Sequence, residues 1–276
     1  MSGTLHVLGT PIGNISDITL RALDTLNEVD FIAAEDTRVT LKLLNKYDIK
    51  KQLVSYHDHS SRLCADGIIN RLLAGESCAV VTDAGMPCIS DPGEGLVKLC
   101  YENNIPVRVI PGPSAVVSAL AVSGLDTSRF SFEGFLSVTK KQRIQHLESV
   151  KNNTNTMIFY EAPHKLVTTL EDMLKYFGDR KISLCRELTK IYEEVIRLTI
   201  SEAIKYYESK SPKGEYVLVI EGAKPSEVPA LTIEQAAEMV KKLIDDGIKA
   251  TAACKEVAAE TGYKKSDLYQ MINSEN

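Results

Sequence analysis

The chain has 276 residues, with 32 Lys and Arg against 37 Asp and Glu and a net charge of −5. Its 44% apolar and 25% charged residues can bury a core and exclude wholesale disorder, and the bulk acidity excludes an indiscriminate nucleic-acid coat while leaving room for a local basic patch. The absence of tryptophan argues against extended stacking platforms for single strands, and six scattered cysteines without a CxxC pair argue against a disulfide framework or a Cys-rich zinc site.

No apolar run approaches the roughly 18–20 residues that a bilayer span requires. The opening residues lack a basic n-region and break at Gly9 and Pro11. A cytoplasmic protein with reduced thiols is expected. The length suits two compact domains, or two plus an appendage.

Leu5-His6-Val7-Leu8 reads as a first strand. Asp17 to Val29 has helical spacing of Ile18, Leu20, Leu23, Leu26 and Val29. Strands are expected at 31–34 and 53–56, with helices at 40–47 and 60–74 around them. Cys78-Ala79-Val80-Val81-Thr82 is a continuous apolar run, typical of a sheet covered on both faces, and Val107 to Ile110 is the next. Strand alternating with helix predicts a largely parallel α/β domain over residues 1–113. A small-residue helix follows at 114–123. Strands at 156–160, 182–186, 195–200 and 216–220, with helices at 166–176 and 202–208, predict a second α/β domain with antiparallel character over residues 114–225. Ala223 to Pro229 reads as a linker. Residues 226–276 form a C-terminal helical module, helical by periodicity from Thr232 to Asn273, with Gly262 between two helices and Ser266 as a cap of the last, a helix-turn-helix-like pattern.

Glycine and proline cluster directly after the apolar strands: Gly9-Thr10-Pro11-Ile12-Gly13-Asn14, Asp83-Ala84-Gly85-Met86-Pro87 and Pro111-Gly112-Pro113-Ser114-Ala115. Ligands of parallel sheets bind beyond the carboxyl ends of strands. The loops match neither G-x-G-x-x-G nor G-x-x-x-x-G-K-[ST], which disfavours a dinucleotide site or a P-loop.

The run Leu8 to Asn14 and Ala34-Glu35-Asp36-Thr37-Arg38 resemble the ribosomal small-subunit RNA 2′-O-ribose methyltransferases of the tetrapyrrole methylase superfamily. So do Ser55-Tyr56-His57-Asp58-His59, Asp83 to Pro87, Ser90-Asp91-Pro92-Gly93, Pro111 to Ala115, Phe159-Tyr160-Glu161-Ala162-Pro163-His164-Lys165, Arg186-Glu187-Leu188-Thr189-Lys190 and Lys213-Gly214-Glu215-Tyr216. The resemblance covers nearly the whole chain. It implies two α/β domains of tetrapyrrole methylase type with an S-adenosylmethionine cleft between them, plus the C-terminal helical module. It implies 2′-O-methylation of a cytidine in the decoding region of 16S rRNA, within the small ribosomal subunit, by a homodimer. Cofactor contacts are implied on Leu8, Pro11, Asp83, Ala84, Gly85, Met86, Ile89, Ser114, Ala115, Tyr160 and Gly214.

Methyl transfer from a sulfonium is an in-line displacement that needs cofactor binding, alignment and proton removal, and no metal. Candidates for the proton acceptor are Glu35, Asp36, Asp91, Glu161, His164, Glu187, Lys190 and Glu215. Asp36, Glu187 and Lys190 are taken as the catalytic candidates, although Asp36-Thr37-Arg38 reads equally as a structural ion pair. His57-x-His59 lacks a third metal ligand. The strip Leu136 to Lys151 carries a net +3, and Lys140, Lys141 and Arg143, with Arg186, are candidate RNA contacts. Residues 226–276 carry a net −3, which argues against a stand-alone nucleic-acid binder. The alternatives are a precorrin-type C-methyltransferase of the same superfamily and a DNA-binding regulator sensing a nucleoside.

Overall fold

A computed structural model describes residues 2–57, 62–224 and 232–274. The chain divides into two compact units, 1–223 and 224–276.

The first unit holds two five-stranded sheets. In the first, β1 (Leu5–Leu8), β2 (Phe31–Ala34), β3 (Gln52–Ser55), β4 (Cys78–Val81) and β5 (Val107–Ile110) are all parallel, in the order β3-β2-β4-β1-β5. The continuous apolar runs are continuous because both faces are covered. Phe31 and Ala33 face a core with Ile68, Leu72 and Leu96, from α3 (Arg62–Leu73) and α4 (Glu94–Glu102). Ile32 and Ala34 face the opposite core with Leu26 and Leu44, from α1 (Leu20–Glu28) and α2 (Thr37–Lys46). Removing the fully buried Phe31 side chain would cost about 3–5 kcal/mol.

The helix expected from Asp17 is interrupted. A 3-10 turn, Ile15–Asp17, is capped by Asn14, and Thr19 then caps α1 by accepting from Ala22 N. Two side-chain caps override a continuous apolar period. The helix expected from Thr40 starts at Thr37, because the Asp36 carboxylate accepts from Arg38 N. Three elements have no counterpart in the sequence reading: α4, the helix at Lys140–Val150 and the strand β6 (Phe130–Phe135).

β6 opens the second sheet, with β7 (Thr156–Glu161), β8 (Lys181–Arg186), β9 (Glu194–Thr199) and β10 (Tyr216–Ile220) in the order β6-β7-β10-β8-β9. Only the β6–β7 pair is parallel. One face is covered by α6 (Lys140–Val150), α7 (Leu166–Phe177) and α8 (Ile200–Glu208), whose apolar stripes meet Met157, Phe159 and Leu218. On the other face, α5 (Ala115–Ser123) buries Val116, Ala119 and Leu120 against Ile158, Cys185 and Val219.

Among its described residues the second unit has three helices, α9 (Ile233–Asp245), α10 (Ala250–Thr261) and α11 (Lys265–Ser274), around Val240, Val257, Leu268 and Ile272. A capping box on Thr232 and Gln235 starts α9, and Gly262 in the left-handed region ends α10. Ser266 lies inside α11 and its hydroxyl donates to Asp267, so it is not the cap that the sequence suggested. The expected linker falls largely on residues 225–231, outside the described residues. No described helix is long and apolar enough to cross a membrane.

Candidate active site

The glycine-rich loops lock one another at the carboxyl end of the first sheet. Thr10 N donates to Gly85 O (2.9 Å) and Gly85 N to Thr10 O (3.1 Å), while Thr10 Oγ1 donates to Thr82 O (3.0 Å). A Cβ on Gly9 would stand 2.8 Å from Gly112 Cα, so the turns after β1 and β5 touch backbone to backbone. Cys88 and Ser90, in the loop after β4, have φ of 71° and 60°, conformations that non-glycine residues hold only where surrounding packing enforces them.

These loops form one wall of a cavity of about 390 Å³, within the range of small-molecule sites. Ile12, Ala84, Gly85, Met86, Ile89, Ser90, Asp91, Ser114 and Ala115 make that wall. The second sheet supplies the facing wall with Phe135, Tyr160, Glu161, Cys185, Leu188, Glu215 and Val217, among others. Of the sequence-derived cofactor positions, Ala84, Gly85, Met86, Ile89, Ser114, Ala115 and Tyr160 line the cavity. Leu8, Pro11, Asp83 and Gly214 do not. Leu8 is fully buried in the core of the first sheet. Asp83 accepts from Asp36 N, and its own N–H donates to Glu35 Oε2. A Cβ on Gly214 would meet Glu187 Cγ at 2.5 Å, which makes it a spacer for that carboxylate. Phe135 and Val217 reach the wall without any motif to mark them; only the order of the strands aims them there.

The charged candidates separate into different environments. Lys190 Nζ bridges Glu187 Oε1 (3.0 Å) and Glu215 Oε2 (2.9 Å), and Glu187 Oε1 also accepts from Glu215 N (3.0 Å). The Glu215 N–H, with Lys190 adding to it, outweighs burial and holds Glu187 below the usual carboxylate range. Burial works against the Lys190 ammonium, but the two carboxylates prevail and raise its pKa. Of the three, Glu215 is the one on the cavity wall. Glu187 and Thr189 have φ of 51° and 66°, so this loop too is held in strain beside the cavity. Burial, with the Asp91 charge adding to it, pushes the Tyr160 hydroxyl up to about 12.

Asp36 stands apart from the cavity lining. Hydrogen bonds from the Arg38 side chain and backbone pull it down to about 2, and it caps α2. A carboxylate so stabilised is a weak base. Glu161 lines the cavity, but it is buried and engaged by the Thr169 hydroxyl, Ala162 N and Lys165. Lys140 and Lys141 are exposed on the first turn of α6. Arg143 is not available in the same way: its side chain is 12% exposed and its Nε donates to Asp172 at 2.7 Å. Arg186 lies 3.3 Å from Glu194 and is absent from the cavity wall. Among the described residues no cluster of three potential metal ligands occurs; His59 lies outside those residues.

A family model for tetrapyrrole (corrin/porphyrin) methylases matches residues 4–204. A ribosomal RNA small subunit methyltransferase I of Halalkalibacterium halodurans is 47% identical over 99% of this chain and 96% of its own length. One of Bacillus subtilis is 44% identical over 97% and 93%. One of Thermotoga maritima is 49% identical over 80% of this chain and 99% of its own, so it leaves a fifth of this chain unmatched. Among solved structures, a diphthine synthase (TM-score 0.60, 15% identity, 80% of this chain and 90% of that one) and a uroporphyrin-III C-methyltransferase from Thermus thermophilus (TM-score 0.57, 18% identity, 79% and 94%) share the fold.

Proposed function

The chain belongs to the tetrapyrrole (corrin/porphyrin) methylase family, and from that premise we propose that it is the S-adenosylmethionine-dependent enzyme that methylates a cytidine 2′-hydroxyl in the decoding region of 16S rRNA. Relatives that match 97–99% of this chain at 42–47% identity are named for the small-subunit ribosomal RNA. The tetrapyrrole enzyme among the solved neighbours shares the fold at 18% identity. The observation that carries the reading is the cavity between the two sheets, which meets the chemistry of this cofactor.

Ala84, Met86, Ile89 and Ala115 offer apolar walls for an adenine ring, and the loop backbone beside Ser114 and Gly85 offers polar partners. Asp91 on the same wall complements a sulfonium charge. When bound, the cofactor supplies a methyl group already activated by its positive sulfur. The protein has to exclude water, hold the ribose and take one proton. Glu215 takes the 2′-hydroxyl proton, being the member of its trio that faces the cavity. Lys190 and Glu187 position it. Lys190 stays protonated and Glu187 stays ionised, so neither exchanges a proton near neutral pH. Lys140 and Lys141 contact phosphate outside the cavity. The working form is a cytoplasmic homodimer and the substrate is 16S rRNA in the small subunit.

The test is transfer of labelled methyl from S-adenosylmethionine to small subunits that lack their own modification, with nucleoside analysis of the product. 2′-O-methylcytidine is expected. Label on a base, or no label, refutes the assignment.

A further inference from the structure

Phe135 lines the cavity and yet is 56% exposed, an arrangement that core packing does not explain. Side chains three residues apart on a regular strand point to opposite faces. Phe132 and Phe135 nevertheless both meet the ring of Tyr160, at centroid distances of 4.9 and 5.3 Å. A bulge between Phe132 and Gly134 inserts Glu133 and returns Phe135 to the Phe132 face. Glu133 uses the bulge to reach His146, 3.2 Å away. Gly134 permits it with φ of 67°, and a Cβ there would lie 3.5 Å from Ser90 Oγ of the facing wall. The bulge thus stands at the mouth of the cavity and aims an aromatic ring into it.

A smaller cavity of about 150 Å³ lies on the other side of Glu161, which lines both. Ser137, His164 and Thr168 give it polar walls, beside the ion-paired Arg143 and Lys165. Phe135 lines the larger space and its neighbour Leu136 the smaller. An apolar ring beside a cavity of cofactor size, next to a polar recess, has the layout of a nucleotide: base, ribose, phosphate.

We propose that Phe135 is the stacking platform for the target nucleobase, so that the ribose is presented at the junction of the two cavities and its phosphate side at the polar recess. Unstacked RNA bases are commonly held on aromatic rings, as are bases that base-modifying enzymes extrude from their stack. The proposal rests on the RNA reading above and adds to it the residue that seats the base.

F135A is expected to lower kcat/KM for unmodified small subunits by roughly 5- to 100-fold, the loss of one base–aromatic stack. F135Y is expected to retain it, and the S-adenosylmethionine Kd of both to match the unaltered chain. The chain contains no tryptophan, so F135W introduces a single reporter. A cytidine oligoribonucleotide should quench its fluorescence at the concentrations where it competes for methylation, whereas ribose 5-phosphate should not. Wild-type kcat/KM in F135A, a cofactor Kd that worsens in step with turnover, or no quench at competing concentrations would each overturn the proposal. If the unaltered chain fails to methylate subunits while the quench persists, the rRNA reading falls and the stacking site stands.

Discussion

Alanine at Gly9 tests whether the two strand-end turns owe their contact to the absence of a side chain. The backbone there is ordinary, so the effect is steric. The new Cβ would stand 2.6 Å from Met86 Sδ and 2.8 Å from Gly112 Cα and N. The thioether can swing away. The Gly112 backbone cannot, because β1 and β5 are paired residue by residue from Leu5↔Val107 to Leu8↔Ile110. Overpacking of this kind costs about 1–3 kcal/mol, and in a unit of this size each kcal/mol lowers Tm by roughly 2–4 °C. G9A should therefore melt roughly 2–12 °C lower and bind S-adenosylmethionine more weakly, since Met86 and the Thr10–Gly85 pairing are displaced with it. Two other glycines separate sterics from backbone conformation. G85A places a Cβ no nearer than 3.5 Å to its neighbours but forces alanine to φ of 88°, a cost of about 1–2 kcal/mol. G67A meets nothing within 4 Å inside the exposed side of α3 and should stabilise by about 0.5–1 kcal/mol. Thermal unfolding with and without cofactor reads all three. A G9A chain with unchanged Tm and cofactor affinity, or a G67A chain as destabilised as G9A, refutes the reasoning.

E215Q should lower kcat for the subunit with KM little changed, whereas K190M should lower kcat less and raise KM, because the first removes the proton acceptor and the second only its holder; equal kinetic profiles would contradict the division of roles. K140E/K141E should weaken subunit binding and flatten its salt dependence with Tm unchanged, while R143A should lose roughly 1–3 kcal/mol of stability by stranding Asp172; urea midpoints and binding at two salt concentrations separate them. Hydrogen bonds hold the folded Glu187 and Asp36 carboxyls below the ordinary Glu and Asp values of the unfolded chain. Their contribution to stability is complete above those values and is lost as pH falls through the lower folded ones. E187Q and D36N should each reduce the acid slope of Tm, and a slope identical to that of the unaltered chain would argue against the shifts.

Much of the first sheet was legible because its strands are buried on both faces, and burial writes itself as a run such as Phe31-Ile32-Ala33-Ala34. β6 escaped notice because a bulge breaks its alternation and most of its residues are half-buried, which leaves no pattern of either period. Helix starts shifted wherever a side chain captured a backbone N–H, as Thr19 and Asp36 do. The candidate site was legible as loops, since glycine and proline mark turns. It was not legible as individual contacts: Leu8 shares a motif with Gly9 yet faces the core, and Phe135 has no motif yet faces the cavity.

Composition, apolar periodicity and strand-end glycines by themselves determined a parallel α/β domain, a second mixed domain and a helical C-terminal unit, and the order of the motifs determined the family. Those are local properties, recorded wherever a residue's neighbours in the chain decide its environment. Tertiary structure alone decided which carboxylates are available. Asp36 is tied to Arg38, Glu161 to Thr169 and Lys165, and Glu187 to Glu215 N–H and Lys190, while Glu215 lines the cavity with its side chain 82% exposed and ion-paired to Lys190. The same held for charge: the basic strip read as one surface, but Asp172, from a helix well downstream in the chain, takes Arg143 out of it. Pairing across 29 residues depends on how helices pack, and no local pattern carries that information.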